Sequence, residues 1–107
     1  MESCPKFEKI RPPSEGDVIK VKDGRLIVPS KVILPFIEGD GIGPELIASA
    51  RKVVDEAVKT AYKGSRQVVW WEIYAGEKAQ KICNHLLPND TLNAIRFCTV
   101  TIKGPLT

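Results

Sequence analysis

The sequence predicts an α/β fold in which a β-hairpin is followed by a β-α-β-α-α-β run with parallel strands. Three observations carry that expectation. First, "VILPFI" (32–37) is apolar at every position, the texture of a strand buried on both faces of a parallel sheet. Second, Leu46, Ile47, Ala50, Val53, Val54, Ala57, Val58, Ala61 and Tyr62 then recur at helical spacing against a polar complement, which describes an amphipathic helix. Third, two later β-prone runs, "QVVWWEIY" (67–74) and "CTVTIK" (98–103), are separated by helical stretches. Strands alternating with helices imply parallel pairing through right-handed crossovers.

Taken in order, residues 1–16 hold three prolines and charges of both signs, and read as an irregular leader. Residues 17–30 read as a hairpin, because Asp23-Gly24 separates two short β-prone runs. The strand at 32–37 contains Pro35, which removes one ladder donor and points to an edge or a locally unpaired position. Pro44 suits the first turn of the long helix and Gly64 its C-terminal cap. On the second strand Trp70 and Trp71 must face opposite ways, one into the core and one toward a helix or another part of the fold. "EKAQKIC" (77–83) and "PNDTLNAIRF" (88–97) read as helices, the latter with Asn89 or Asp90 as its cap. The third strand, 98–103, has no helix after it, so residues 31–107 read as an α/β unit incomplete at its C-terminal side, with one sheet face open.

Composition excludes several functions. A chain of 107 residues allows one small domain, and its net charge of +3 is spread without a basic cluster, which argues against a nucleic-acid partner. No apolar run is long enough to cross a membrane, and the N-terminus has no signal-peptide pattern. Cys4, Cys83 and Cys98 are odd in number and lack CxxC spacing, so neither a disulfide framework nor a zinc site is indicated, and a reducing cytoplasm is the simplest setting. His85 has no second ligand near it in sequence and reads as a non-ligand.

The segment "GDGIGPELI" (39–47) joins the first parallel strand to the long helix. A glycine-rich turn there can bring backbone N–H groups to an anion. However, Gly39, Gly41 and Gly43 form G-x-G-x-G, one residue short of the dinucleotide fingerprint, and no GK[ST] follows. Asp40 would also repel a phosphate. The loop therefore reads chiefly as a tight strand-to-helix turn, with Asp40 bonding nearby backbone.

"FIEGDGIGPE", "AYKGSRQVVWWEIYAGEKA" and the terminal "IKGPLT" closely resemble the N-terminal portion of prokaryotic-type NADP-dependent isocitrate dehydrogenases, in the isocitrate/isopropylmalate dehydrogenase family. The likeness runs from the hairpin to the last residue. Gly-Asp-Gly-Ile-Gly is shared across the wider β-decarboxylating group, whereas "IKGPLT" is the narrower mark. The resemblance implies a partial isopropylmalate dehydrogenase-like fold. It also implies metal-dependent oxidation and decarboxylation of isocitrate to 2-oxoglutarate, with NADP as hydride acceptor and Mg²⁺ or Mn²⁺ as Lewis acid. Similar enzymes are homodimers that share residues between active sites.

Few site residues carry over. By that resemblance Ile42 contacts the adenosine side of the cofactor by packing, Lys103 lies beside the substrate, and Thr107 sits between substrate and nicotinamide. No catalytic residue and no metal ligand falls within the 107 residues, so the chain alone is expected to be inactive. Two other readings stay open: a non-catalytic α/β binding or assembly module, and a piece of a homoisocitrate or isopropylmalate dehydrogenase.

Overall fold

The structure, a computed structural model, describes residue 7 and residues 10–106. Its elements are β1 (Lys20–Lys22), β2 (Arg25–Ile27), β3 (Lys31–Ile37), α1 (Gly43–Tyr62), β4 (Gln67–Glu72), α2 (Glu77–Cys83), α3 (Asn89–Cys98) and β5 (Ile102–Lys103). β1 and β2 form an antiparallel ribbon, and the main sheet has order β4-β3-β5 with both neighbours parallel to β3. Asp23 and Gly24 both take positive φ, the requirement of the two-residue turn whose twist matches the ribbon.

Pro35 lies in the central strand, opposite Trp71 of β4. Alternate residues of a strand present their hydrogen-bonding groups to the same side. Ile33 N–H donates to the Asp17 carbonyl, and the Ile37 carbonyl accepts from Gly104 N–H. Pro35 falls between them, on the side where the Asp17 bridge has ended and β5 pairing has not begun. The missing donor is thus tolerated at a locally unpaired position.

The two sheet faces are built from the two alternating sets of side chains. Ile33, Ile37, Trp71 and Ile73 pack with Ala94 and Cys98 of α3 and with Ile10 and Val18. Burying Ile73, which is 1% exposed, is worth about 1.5–3 kcal/mol. On the opposite face Phe36 and Trp70 meet edge to face, and the Arg51 guanidinium of α1 lies 4.2 Å from the Phe36 ring centre. Trp70 Nε1 donates to Asp55 Oδ1 at 2.9 Å, while Trp71 faces the core beside Phe7. The tryptophans therefore divide between the faces as their alternation requires.

Several expectations change. The open sheet face is filled: residues 10–18, read as mostly leader, run irregularly but bury Ile10 and Val18, and α3 packs beside them. Asp17 joins the main sheet rather than the ribbon. The third strand shrinks to Ile102–Lys103 because α3 continues through Cys98 and Thr99 then takes φ 71°. Val100 N–H donates to the Cys98 carbonyl, closing a three-residue turn, and Thr99 Oγ1 donates to the Ile19 carbonyl. The second strand ends at Glu72, two residues early. Pro88, not Asn89 or Asp90, precedes α3, and Asp90 instead accepts a hydrogen bond from Ile10 N–H. At the end of α1 it is Lys63 that takes the left-handed cap, with Gly64 following. No helix among the described residues is long and apolar enough to cross a membrane.

Candidate functional site at the carboxyl edge of the sheet

In open parallel sheets ligands bind beyond the carboxyl ends of the strands. Here that edge gathers the 38–42 loop after β3, residues 104–106 after β5, and the start of α2 after β4. The loop and the β5 extension are in backbone contact. Asp40 N–H donates to the Pro105 carbonyl and Gly104 N–H to the Ile37 carbonyl, both at 2.8 Å. A Cβ on Gly43 or on Gly104 would collide with the Glu38 carbonyl oxygen, and one on Gly39 with the Pro105 carbonyl. Glycine is required at these positions by clearance, because three backbones meet there.

Two N–H groups of the turn are committed to backbone. Asp40 N–H is taken by Pro105, and Gly43 N–H donates to the Asp40 carbonyl at 2.9 Å. Those two bonds, the close backbone packing and the buried Asp40 carboxylate favour a turn that packs over a cradle for phosphate. The buried Asp40 carboxylate has a longer reach than a local turn bond: its Oδ1 accepts from Glu77 N–H at 3.1 Å, at the first residue of α2. A carboxylate suits that place, since a helix N-terminus carries unpaired donors and positive partial charge.

Ile42 stands at the N-cap of α1 with 67% of its surface exposed, an apolar side chain presented outward from the loop. Lys103 is the last residue of β5, exposed, with Nζ donating to the Gly104 carbonyl at 2.9 Å. The structure therefore brings Ile42 and Lys103 to one edge, linked through the Asp40–Pro105 contact. Thr107 lies outside the described residues. His85 is exposed, and no three His, Cys, Asp or Glu side chains among the described residues stand together as a metal site.

Sequence reasoning missed a charged cluster at the same edge. Lys78, in the first turn of α2, donates to Glu38 Oε1 at 2.6 Å and to Glu72 Oε2 at 2.5 Å, and its Nζ lies 5.6 Å from the Tyr74 ring centre. Burial pulls the Lys78 ammonium down, but hydrogen bonds and attraction from Glu38 and Glu72 outweigh it and leave it above its ordinary 10.5. Burial and the Glu72 charge likewise raise the Tyr74 hydroxyl above 10.0. The available signal was positional: β3 is followed directly by Glu38 and β4 ends in Glu72, so parallel pairing sets both carboxylates at one edge. Two grooves lie elsewhere, of about 430 Å³ beside Ile19, Lys20 and Phe97 and about 540 Å³ beside Lys59, Arg66 and Trp70; neither includes Ile42 or Lys103.

Fold and edge together define a parallel α/β unit whose carboxyl border is a glycine-packed strand-to-helix turn beside a strand-end lysine. Residues 33–107 match the family model of isocitrate/isopropylmalate dehydrogenases. The chain is 52% identical over 100 residues to isocitrate dehydrogenase (NADP) of Caldococcus noboribetus, covering 94% of this chain and 23% of that protein. It is 48% identical over 101 residues to the Archaeoglobus fulgidus protein of the same name, covering 94% and 24% respectively. The crystal structure of isocitrate dehydrogenase from Methylococcus capsulatus aligns with a TM-score of 0.59 at 39% identity, over 70% of this chain and 20% of that one. The chain belongs to the isocitrate/isopropylmalate dehydrogenase family. It spans about a quarter of the length of the curated relatives it matches.

Proposed function

We propose that this chain is the N-terminal portion of an NADP-dependent isocitrate dehydrogenase, which oxidises isocitrate and releases CO₂ to give 2-oxoglutarate. The observation that carries this reading is the identity of 52% and 48% to relatives named isocitrate dehydrogenase (NADP), spread over 94% of the chain. In this reading the enzyme is a cytoplasmic homodimer.

Its residues are suited to part of that task. The exposed Ile42 offers an apolar surface to the adenosine side of NADP, and the Asp40 carboxylate in its loop agrees with packing rather than phosphate capture. NADP, when bound, supplies the hydride acceptor. Lys103 presents a cation at the strand end, where it can attract and orient an anionic tricarboxylate. Thr107 would lie between substrate and nicotinamide. The described residues offer no donor set for Mg²⁺ or Mn²⁺, so its ligands are assigned to the rest of the polypeptide and no step is derived through it. The 107-residue chain alone is expected to be inactive.

The test is steady-state oxidation by the full-length protein with isocitrate, homoisocitrate and isopropylmalate side by side. The highest kcat/KM is expected with isocitrate and NADP; a higher value for either rival acid would reassign the substrate.

A further inference from the structure

Glu38 is the junction of the candidate site. Its carbonyl oxygen fills the clearance left by Gly43 on one side and Gly104 on the other, and it immediately precedes the loop that carries Ile42. Its side chain is held by Lys78, which reaches across to Glu72 at the end of β4. We propose that Lys78, acting through Glu38, is a positioning residue that sets the nucleotide-contacting loop against the substrate-side strand. The inference rests on the reading of Ile42 as an NADP contact.

The two carboxylates are not equally anchored. Glu72 lies within the paired register of β3 and β4, opposite Phe36. Glu38 lies one residue past the last paired position of β3, and Gly39 and Gly41 follow it at φ 80° and 59°. Without Lys78 two partly buried like charges stand at neighbouring strand ends, and Glu38, outside the paired register, is the less anchored of the two. The displacement falls on the loop and Ile42. Lys103 is paired with Ile37 in the sheet and feels the loop only through the Glu38–Gly104 and Asp40–Pro105 contacts, so the substrate side should be less affected than the loop. A second tie runs in parallel, from Asp40 to the first turn of α2, so Lys78 tunes the loop rather than holding it alone.

The experiment is calorimetric titration of NADP into full-length protein, wild type and four variants, with thermal melting of each. Lys78→Met and Glu38→Gln should weaken NADP binding roughly tenfold, within the usual range of coupling between sites. Glu72→Gln keeps the Lys78–Glu38 pair and should stay within about twofold, and Lys78→Arg, which keeps a cation able to hold both carboxylates, should recover most of the loss. The KM for isocitrate should change by much less than the NADP affinity. A lower Tm in Lys78→Met or Glu38→Gln with NADP affinity unchanged would show a merely structural role and overturn the inference. Glu38→Gln is a neutral isostere and decides the matter alone if Lys78→Met does not fold. Wild-type protein that fails to bind NADP would instead overturn the Ile42 reading and this inference with it.

Discussion

The carboxyl edge of the sheet and the outer flank of α1 differ sharply in how completely they are packed. At the edge, three backbone segments meet with no room for a single added methyl group at Gly39, Gly43 or Gly104. On α1, Ile47 is 5% exposed against the sheet, while its sequence neighbour Leu46 is 53% exposed and Val53 68%. The ribbon is similarly bare at Val21 and Leu26. Large apolar side chains left exposed on a helix flank and on a ribbon are surface that other protein can cover. The site's local geometry is a property of these residues, whereas the flank of the helix beside it carries apolar side chains that these residues leave uncovered. Relatives about four times as long fit that need.

The largest expected effect probes the buried side of α1. Ile47→Ala should cost about 3 kcal/mol in full-length protein, as buried large-to-small changes do. Leu46→Ala should cost less than about 0.5 kcal/mol in the 107-residue chain, as an exposed change, yet clearly more in the full-length protein. Equal costs for Leu46→Ala in both, by denaturant titration, would show that nothing covers that flank.

Next comes the lysine at the edge. Lys103→Met in the full-length protein should lower kcat roughly a hundredfold, on the scale of removing one electrostatic contact in an active site, while Tm stays in place. An unchanged kcat would take Lys103 out of the site. Somewhat smaller is the clearance effect: Gly43→Ala should destabilise by about 2 kcal/mol, because the Glu38 carbonyl must move. Gly24→Ala, with nothing within 4 Å but φ +75°, should cost about 1 kcal/mol through backbone strain alone. A reversed order would mean that the three-backbone junction yields more easily than its spacing suggests.

The smallest effect concerns pH. Lys78 and Tyr74 both hold their protons more tightly in the fold than at the ordinary 10.5 and 10.0. Between those values and the raised ones the folded state binds more protons than the unfolded, so stability falls as pH rises. The Lys78 contribution is fully present below 10.5 and is lost through the raised value; the penalty from Tyr74 begins above 10.0. Melting followed from pH 8 to 11 should show this alkaline decline reduced in a Lys78→Met, Tyr74→Phe double variant; an identical slope would remove the cluster as its source.

Much of this was legible from residue patterns. The apolar strand, the turn at Asp23-Gly24, the gap around Pro35 and the opposed tryptophans all follow from periodicities and backbone rules that act within a few residues. What escaped depends on distant partners. Ile10 is buried because α3 offers it Cys98, Ala94 and the Asp90 carboxylate, eighty positions away in the last case. The third strand was overextended because Cys98, Val100 and Ile102 alternate, while the turn at Thr99 is held by the Ile19 carbonyl. Helical spacing shows which side chains of α1 share a face, but not how wide the surface opposite is, so the exposure of Leu46 and Val53 was not legible from it. At the site, Ile42 and Lys103 came from likeness to relatives, while Lys78 required the register that sets Glu38 beside Glu72.

The most direct test is a side-by-side assay of NADPH formation from isocitrate with Mg²⁺, comparing the full-length protein with the isolated 107-residue chain. Turnover by the former and none by the latter is the expected result. Turnover by the isolated chain, or its absence from the full-length protein, would contradict the account of this chain as the edge-forming portion of an isocitrate dehydrogenase.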